Sequence, residues 1–160
     1  MIFIAVGTDR HEFRRLVKAA DELAKKTKEK IVVQTGRTKL KPKNCEWFDF
    51  LPEEEFQKYL KKARIVITHA GVGLIVDALK AKKPVIAVPR RKELNEHVDN
   101  HQFQIAREME KEGKLIVCED VSILKECIKK AEKIKNRGLE KKERKISQII
   151  EKYINNWFSS

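Results

Sequence analysis

One stretch of the sequence, residues 64–102, constrains the fold most, because it contains two predicted strands joined by a glycine turn and a helix. Arg64–His69 carries the β-branched run that is typical of a buried parallel strand. The small residues Ala70–Gly73 interrupt that strand, and apolar residues then recur at helical spacing. A second buried strand is predicted at Val85–Val88. In α/β folds, a small-residue turn between a strand's end and a helix's start is a common anion-binding site.

Strands and helices alternate along the rest of the chain, which predicts an α/β, Rossmann-like fold with a mostly parallel sheet flanked by helices. Further strands are expected at residues 2–6, 31–35, 47–51 and 114–118, and further helices at 11–26, from Pro52, from the polar loop to Gly113, and from Asp120 or Ser122. Because parallel strands end at the same edge of a sheet, the residues that follow them are expected to meet.

Four polar clusters follow predicted strands at that edge. They are Gly7 with Thr8, the run Gln34–Arg37, the turn His69–Gly73, and the loop from Pro89 to Gln102. Ligands in such sheets bind outside the carboxyl ends of the strands. The convergence of the clusters therefore favours a single ligand site.

The glycine turn leaves two interpretations open at about even odds: it lets a phosphate approach backbone N–H groups, or it only packs a strand closely against a helix. The Walker A pattern is absent, and Val76 interrupts the G-x-G-x-x-G pattern. Nucleoside triphosphates and NAD are therefore disfavoured as ligands.

Each polar side chain near the clusters has a functional and an ordinary interpretation. His69 either packs against its surroundings or donates to a phosphate or sugar, and Asp77 is either a ribose ligand or an ordinary helix acid. Arg37 and Arg90 either neutralise a diphosphate or are surface charges. A sugar, with its many hydroxyls, suits the cluster that closes the polar loop, namely His97, Asn100, His101 and Gln102. No metal site is favoured, because His97 and His101 lack a third ligand.

The composition describes a domain with a dense ionic surface, at 41% hydrophobic and 38% charged residues. For the chain of 160 residues, we expect one domain at residues 1–136, followed by an amphipathic helix at residues 137–160 that belongs to the same unit. It lacks a predicted signal peptide or membrane span, so a cytoplasmic location is expected. Three cysteines without paired spacing are expected to stay reduced.

The formal charge of +12 raises the alternative of a basic nucleic-acid-binding module, or of a non-catalytic nucleotide-binding protein. Between Lys125 and Lys145 there are ten Lys or Arg against four Glu, without the interleaved aromatic residues that single-stranded nucleic acids require. Nucleic acid is therefore not the favoured partner, and an anionic membrane surface suits this run better.

An apolar stripe at helical spacing closes the sequence. Its members include Ile149, Tyr153, Trp157 and Phe158, opposite a charged face. Such a helix either folds back on its own sheet or docks on another chain, and the terminal aromatic residues favour docking.

Several motifs, in their order and spacing, resemble the donor-binding C-terminal domain of glycosyltransferase family 28, which is half of a GT-B fold. They are IAVGT, VVQTGR, HAGVG with the helix to Asp77, KKPVIAVPRR and EHVDNHQ. The resemblance covers nearly the whole chain and is strongest to small stand-alone members. These are the catalytic subunit of a two-part eukaryotic transferase that adds the second N-acetylglucosamine to a dolichol-diphosphate-linked sugar, and bacterial pairs that build capsule and exopolysaccharide.

This resemblance implies a heteromeric, inverting glycosyltransferase that moves a sugar, expected to be N-acetylglucosamine, from a UDP-sugar to a lipid-diphosphate-linked acceptor. No cofactor is implied, because the UDP-sugar is a substrate. A membrane-anchored partner would bind the acceptor and recruit this chain to the cytoplasmic face of a membrane. Transfer from UDP-galactose, UDP-glucose or UDP-glucuronate in capsule or exopolysaccharide synthesis is the alternative.

The resemblance also assigns roles to residues. Gly71–Gly73 would hold the diphosphate, so Gly71→Val is expected to fill its space, and Asp77 would contact the ribose, where relatives usually carry Glu. Leu74 stands where relatives often have Ser. The complete expected donor-binding set is Gly7, Thr8, Gln34, Gly36, Arg37, His69, Ala70, Gly71, Val72, Gly73, Asp77, Pro89, Arg90, His97, Asn100, His101 and Gln102.

Three further roles follow from the same resemblance. His101 and Gln102 would contact the sugar, while Gly7 and Thr8 would face the cleft shared with the partner. His69 is the candidate catalytic base within this chain. The C-terminal stripe would dock on the partner.

Overall fold

A computed structural model of the chain describes residues 1–135, together with residues 148 and 151. Within these residues, one parallel sheet contains six strands in the order β3-β2-β1-β4-β5-β6. The elements in chain order are β1 Ile2–Ala5, α1 Arg14–Lys25, β2 Ile31–Gln34, β3 Glu46–Phe48, α2 Glu53–Lys62, β4 Ile65–Thr68, α3 Val72–Lys80, β5 Val85–Ala87, α4 His101–Lys111, β6 Ile116–Val117 and α5 Leu124–Lys135.

Strand β1 lies at the centre of the sheet, between β2 and β4. Its first residue, Ile2, pairs with Ile31 on one side and with Ile65 on the other. The strand order reverses between β1 and β4, because the chain fills one half of the sheet before it crosses to the other. In doubly wound sheets, a crevice opens at this point beyond the carboxyl ends of the strands.

Two hydrophobic cores cover the faces of the sheet, which is why the strands are apolar at nearly every position. Alternate residues of β1 point to opposite faces, so Ile2 and Ile4 pack towards α1 and α5, and Phe3 and Ala5 pack towards α2, α3 and α4. All four residues of the strand are buried. Helices on both faces leave the edge where the strands end as the place for a ligand.

The predicted α/β fold with a parallel sheet is confirmed, with small shifts at the ends of the elements. Shifts of three residues occur at the start of α1, expected at residue 11 and found at Arg14, and at the end of β3, expected at residues 47–51 and found at Glu46–Phe48. Beyond β3 the amide of Leu51 donates to the side-chain oxygen of Gln34, at 3.2 Å, and so does not continue the strand pairing.

The predicted C-terminal helix and its docking residues, Ile149, Tyr153, Trp157 and Phe158, lie outside the described residues. In the part of the chain that is described, no helix is both long enough and apolar enough to cross a membrane. Cys45, Cys118 and Cys127 are free.

Candidate functional site

A cavity of about 510 Å³ opens at the carboxyl ends of β1, β2 and β4, where the strand order reverses. It is lined by Gly7, Thr8, Asp9, Gln34, Phe50, Leu51, Glu53, Phe56, His69, Gly71, Gly73, Leu74, Asp77 and Gln102. All four polar clusters expected from the sequence contribute at least one residue. The expectation that they meet at one edge of the sheet is therefore confirmed.

The amino end of α3 points its backbone at this cavity. Gly71 precedes the helix and offers no side-chain cap, so the first amides of the helix have no capping side chain. Gly73 is exposed and lines the cavity, and a Cβ atom placed on it would meet nothing within 4 Å. Free amides together with the positive end of the helix dipole make this turn suitable for an anion.

The imidazole of His69 fills the space between two glycine backbones. A Cβ atom on Gly7 would lie 2.7 Å from Nε2 of the ring, and a Cβ atom on Gly71 would lie 2.6 Å from its Cε1. Both distances are too short for non-bonded atoms. Gly71 is therefore required for packing against His69, which confirms the packing interpretation for this glycine. Gly73 borders open space, so the interpretation that a phosphate approaches the turn stays a prediction for Gly73.

His69 is neutral at pH 7. Burial, together with the nearby positive charge of Arg90, lowers its pKa to about 4, while a hydrogen bond with the Ala5 backbone acts in the opposite direction. A neutral imidazole can donate or accept one hydrogen bond at each ring nitrogen, according to its tautomer. Its low pKa makes it a weak proton acceptor.

We expect the protein to lose stability as the pH falls from 6.5, the ordinary pKa of His, to about 4. In this window the unfolded chain binds a proton that the folded chain does not, so stability rises with pH and the contribution is complete above the unfolded pKa. The contribution is of the order of 3 kcal/mol, because one pKa unit corresponds to about 1.4 kcal/mol. Urea denaturation at several pH values should show a flatter dependence for His69→Gln than for wild type. Equal pH dependence in both proteins would contradict this assignment.

Arg90 does not lie in the open cavity, and this position corrects the expectation that it contacts a diphosphate or is a surface charge. Its side chain is 1% exposed. The guanidinium donates to backbone carbonyl oxygens beneath the β1–α1 loop, among them that of Val6 at 2.8 Å. Pro89 is also buried, and its carbonyl accepts a hydrogen bond from Arg15 at 2.9 Å.

Of the four predicted sugar ligands at the end of the polar loop, only Gln102, in the first turn of α4, lines the cavity. The other three contact neighbouring residues of the same segment. His97 lies 3.3 Å from a carboxylate oxygen of Asp99, and His101 lies 3.2 Å from the other. Asn100 accepts from the amide of Lys92 and donates to Glu93. The structure thus separates Gln102 from the three residues with which it was grouped.

The predicted residues after β2 take three different positions. Gln34 lines the cavity, and Gly36 packs behind Gly7, where an added Cβ atom would lie 2.6 Å from the Gly7 carbonyl oxygen. Arg37 is exposed and does not line the cavity. In the turn before α3, Ala70 has φ of 67° and its side chain is buried in the core, while Val72 packs against that core. Only the backbone of Ala70 and Val72 is therefore a candidate for ligand contact.

One wall of the cavity was not predicted as part of the site. It consists of Phe50, Leu51, Glu53 and Phe56, at the junction of β3 and α2. The sequence could have indicated this wall, because the junction follows a predicted strand of the same parallel sheet. Asp9 was missed as well, although it follows Gly7 and Thr8 directly.

Asp9 belongs to a chain of imidazoles and carboxylates at the rim of the cavity. One carboxylate oxygen lies 2.6 Å from Nδ1 of His11, and the other lies 3.7 Å from Nε2 of His97. Burial opposes ionisation of Asp9, but hydrogen bonds from His11 and the charge of Arg90 lower its pKa overall. Within the described residues, no group of three or more His, Cys, Asp or Glu is arranged to hold a metal ion.

A larger groove of about 700 Å³ lies elsewhere, between α1 and α5. Its floor is apolar, with Leu23, Leu124 and Ile128, and charged side chains form its rim. Its lining contains no glycine, and the start of α5 that it includes is preceded by Asp120, whose carboxylate already accepts from the amide of Ser122. On chemical grounds, the smaller cavity is the better candidate for a polar, anionic ligand.

Comparison with known proteins identifies the family of the chain. The model of the family described as "Glycosyltransferase family 28 C-terminal domain" matches residues 1–156. Among solved structures, the calicheamicin glycosyltransferase CalG4 is similar with a TM-score of 0.68 and 19% identity, over 92% of this chain and 39% of that one. MurG from Acinetobacter baumannii gives a TM-score of 0.58 and 18% identity, over 84% of this chain and 44% of that one. These structures share the fold, as expected for half of a GT-B enzyme.

Curated relatives named "UDP-N-acetylglucosamine transferase subunit ALG13" match parts of the chain. The Homo sapiens protein is 29% identical over 126 residues, which are 73% of this chain and 11% of that protein. The Debaryomyces hansenii protein is 31% identical over 140 residues, which are 78% of this chain and 64% of that protein. This chain therefore spans a small part of the human relative and less than two thirds of the Debaryomyces one. With its match over 1–156 and its GT-B neighbours, the chain belongs to the glycosyltransferase family 28 C-terminal domain family.

Proposed function

We propose that this chain is the donor-binding catalytic subunit of a heteromeric, inverting glycosyltransferase that takes a sugar from a UDP-sugar. One observation carries the proposal: the cavity at the reversal of strand order combines an uncapped helix terminus with a polar side chain whose acceptor is unused. That acceptor is Oε1 of Gln102, which is buried and has no hydrogen-bond partner among the described residues. A buried amide oxygen without a donor is costly unless a ligand supplies one.

The diphosphate would bind at Gly71–Gly73, where the free amides of α3 face the cavity. Asp77 lies one turn further along α3 and also lines the cavity, at a suitable place for a ribose hydroxyl. The apolar side chains of Phe50 and Phe56, which line the same cavity, suit the face of a nucleobase. The shape and chemistry of the cavity thus match a nucleoside diphosphate.

The sugar would extend towards Gln102, whose free amide oxygen would accept a hydrogen bond from a hydroxyl or an N-acetyl amide. N-acetylglucosamine is the preferred sugar, because several relatives are named as UDP-N-acetylglucosamine transferase subunits. Galactose, glucose or glucuronate is the alternative, and the Bacillus subtilis relative YojK is named as an uncharacterized UDP-glucosyltransferase.

The acceptor would be a lipid-diphosphate-linked sugar held by a membrane-anchored partner, with this chain recruited to the cytoplasmic face of the membrane. The word "subunit" in the names of the relatives supports a partner. Within this chain, His69 would act at the reacting end of the donor. Its neutral ring is better suited to hydrogen bonding than to proton removal, so the stronger base would come from elsewhere.

A non-catalytic protein that only binds nucleotides would use the same cavity. Two measurements separate it from the enzyme. In the presence of the partner and a lipid-diphosphate acceptor, the enzyme releases UDP and lengthens the acceptor by one sugar. A protein that only binds nucleotides would bind UDP under these conditions, but it would produce no UDP from the UDP-sugar and would not lengthen the acceptor. Binding of a nucleic acid would instead weaken steeply with salt.

Gln102→Ala tests the sugar contact. We expect UDP to bind this variant as it binds wild type, while the additional affinity for UDP-N-acetylglucosamine falls by about two- to tenfold, the usual value of one hydrogen bond. Calorimetric titration with both ligands measures the difference. Gln104→Ala, an exposed change on the same helix, is the matched control. Retention of full discrimination by Gln102→Ala would remove Gln102 from the sugar site.

A further inference from the structure

We propose that Arg90 is a positioning residue that acts from beneath the donor site: its buried guanidinium holds the β1–α1 loop and supplies positive charge to the diphosphate through that loop, without touching the ligand. This inference rests on the proposed function, because it concerns the same site. It assigns Arg90 a role different from the direct contact expected from the sequence.

The hydrogen bonds of Arg90 connect three separate parts of the chain. One Nη atom donates to the carbonyl oxygen of Val6 at 2.8 Å, and the other donates to the carbonyls of His11 and Glu96 at 3.0 and 2.9 Å. The guanidinium also lies over the ring of Phe13, 4.7 Å from its centroid. Arg90 therefore ties the end of β1 and the start of α1 to the loop after β5.

The charge of Arg90 has no carboxylate partner of its own within residues 1–135. Glu96, a nearby acid, makes a two-pronged pair with Arg15, at 3.0 and 2.9 Å, and also accepts from the amide of Arg91. Asp9, a second nearby acid, is bound by His11. Glu12, whose carbonyl accepts from Arg90 at 3.4 Å, has its carboxylate 3.7 Å from Arg14. Among the described residues, the guanidinium donates hydrogen bonds only to backbone carbonyl oxygens and packs over the ring of Phe13, and its Nε atom has no hydrogen-bond partner.

This arrangement leaves a positive centre directly below the floor of the cavity. The carbonyl of Val6 that accepts from Arg90 belongs to the same peptide unit as the nitrogen of Gly7, which lines the cavity. Gly7 is in turn held between His69 and Gly36. A buried charge is screened less than a surface charge, so a dianionic ligand above this loop gains from it.

The formal charges around Arg90 balance, because Asp9 and Glu96 offset the charges of Arg90 and Arg15. His69 is kept neutral in part by Arg90 itself. The two acids are each hydrogen-bonded by other groups, whereas the guanidinium of Arg90 bonds directly to the peptide unit below Gly7. A diphosphate above this loop would therefore interact with the charge of Arg90, while an uncharged nucleoside would not.

The test compares UDP with uridine on four proteins: wild type, Arg90→Gln, Arg90→Lys and the control Arg14→Gln, which removes an exposed arginine of α1. Calorimetry should show that Arg90→Gln weakens UDP binding by about tenfold or more and leaves uridine binding within about twofold, because charge acts on the diphosphate alone. Arg90→Lys should keep the preference for UDP, because it keeps the positive charge although it loses the forked hydrogen bonds.

A second measurement uses NMR to determine the pKa of His69. This pKa is expected to rise in Arg90→Gln and to stay near the wild-type value in Arg90→Lys.

Equal losses of UDP and uridine binding in both variants would mean that Arg90 is merely structural, and would overturn the proposal. Unchanged UDP binding in Arg90→Gln would overturn it too. If Arg90→Gln does not fold, loss of the UDP preference in Arg90→Lys decides against it. Wild type that binds neither ligand would instead contradict the proposed function.

Discussion

Replacement of Gly73 by Leu should weaken UDP binding by about 100-fold or more and leave the protein folded. A side chain that fills the binding site prevents the ligand from entering, whereas the loss of one contact only weakens its binding. Gly73 lines the cavity, and nothing lies within 4 Å of the position its Cβ atom would take. The new side chain would therefore enter the space assigned to the diphosphate. Leu is a good helix former, so α3 should persist.

Gly73→Ala is the matched control for this change. Its methyl group meets no neighbouring atom, and Ala in a helix is more stable than Gly by about 0.5–1 kcal/mol, so this variant should unfold at a higher urea concentration than wild type. Calorimetry with UDP and urea denaturation on the same samples separate the two effects. Full UDP affinity in a folded Gly73→Leu protein would place the diphosphate elsewhere.

Gly71→Ala should have its largest effect on stability, through His69. At this position φ is −69°, which Ala adopts without strain, but the new methyl group would overlap the imidazole ring. We expect the free energy of unfolding to fall by about 1–3 kcal/mol, as for other overpacked sites. The expectation that Gly71→Val fills the diphosphate space is revised accordingly, since the first atom added at Gly71 meets His69.

A double-mutant cycle isolates this contact. In a His69→Ala background, Gly71→Ala should cost little, because the ring that it strikes is gone. Gly7→Ala is the comparison: Gly7 also touches His69, but its φ of 79° is unfavourable for any other residue, so a cost of about 1–2 kcal/mol should persist in that background. Urea denaturation of the single and double variants measures both. An equal cost of Gly71→Ala with and without the ring would exclude the packing role of His69.

The sequence predicted the fold well because its signals are local. Each buried strand is marked by β-branched residues, and each glycine turn by its composition, as at Ile65–Thr68 and Gly71. The position of the site followed from one rule of topology, that parallel strands end at the same edge. Neither inference required knowledge of side-chain directions.

Side-chain directions account for what the sequence did not predict. Arg90 turns inward because carbonyls of Val6, His11 and Glu96 converge on it, and two of these come from the distant β1–α1 loop. Likewise, Asp99 engages both His97 and His101, so a cluster that resembles a sugar site in sequence is largely a loop network. Contacts between residues far apart in sequence decide such cases.

NMR titration of the ¹⁵N-labelled chain with UDP tests whether a nucleoside diphosphate binds where the order of strands reverses. We expect the largest changes in chemical shift at the amides of Gly7, Thr8, Gly73 and Leu74, with little change at Leu23 and Leu124 in the groove between α1 and α5. Changes centred on that groove, or no changes at millimolar UDP, would contradict it.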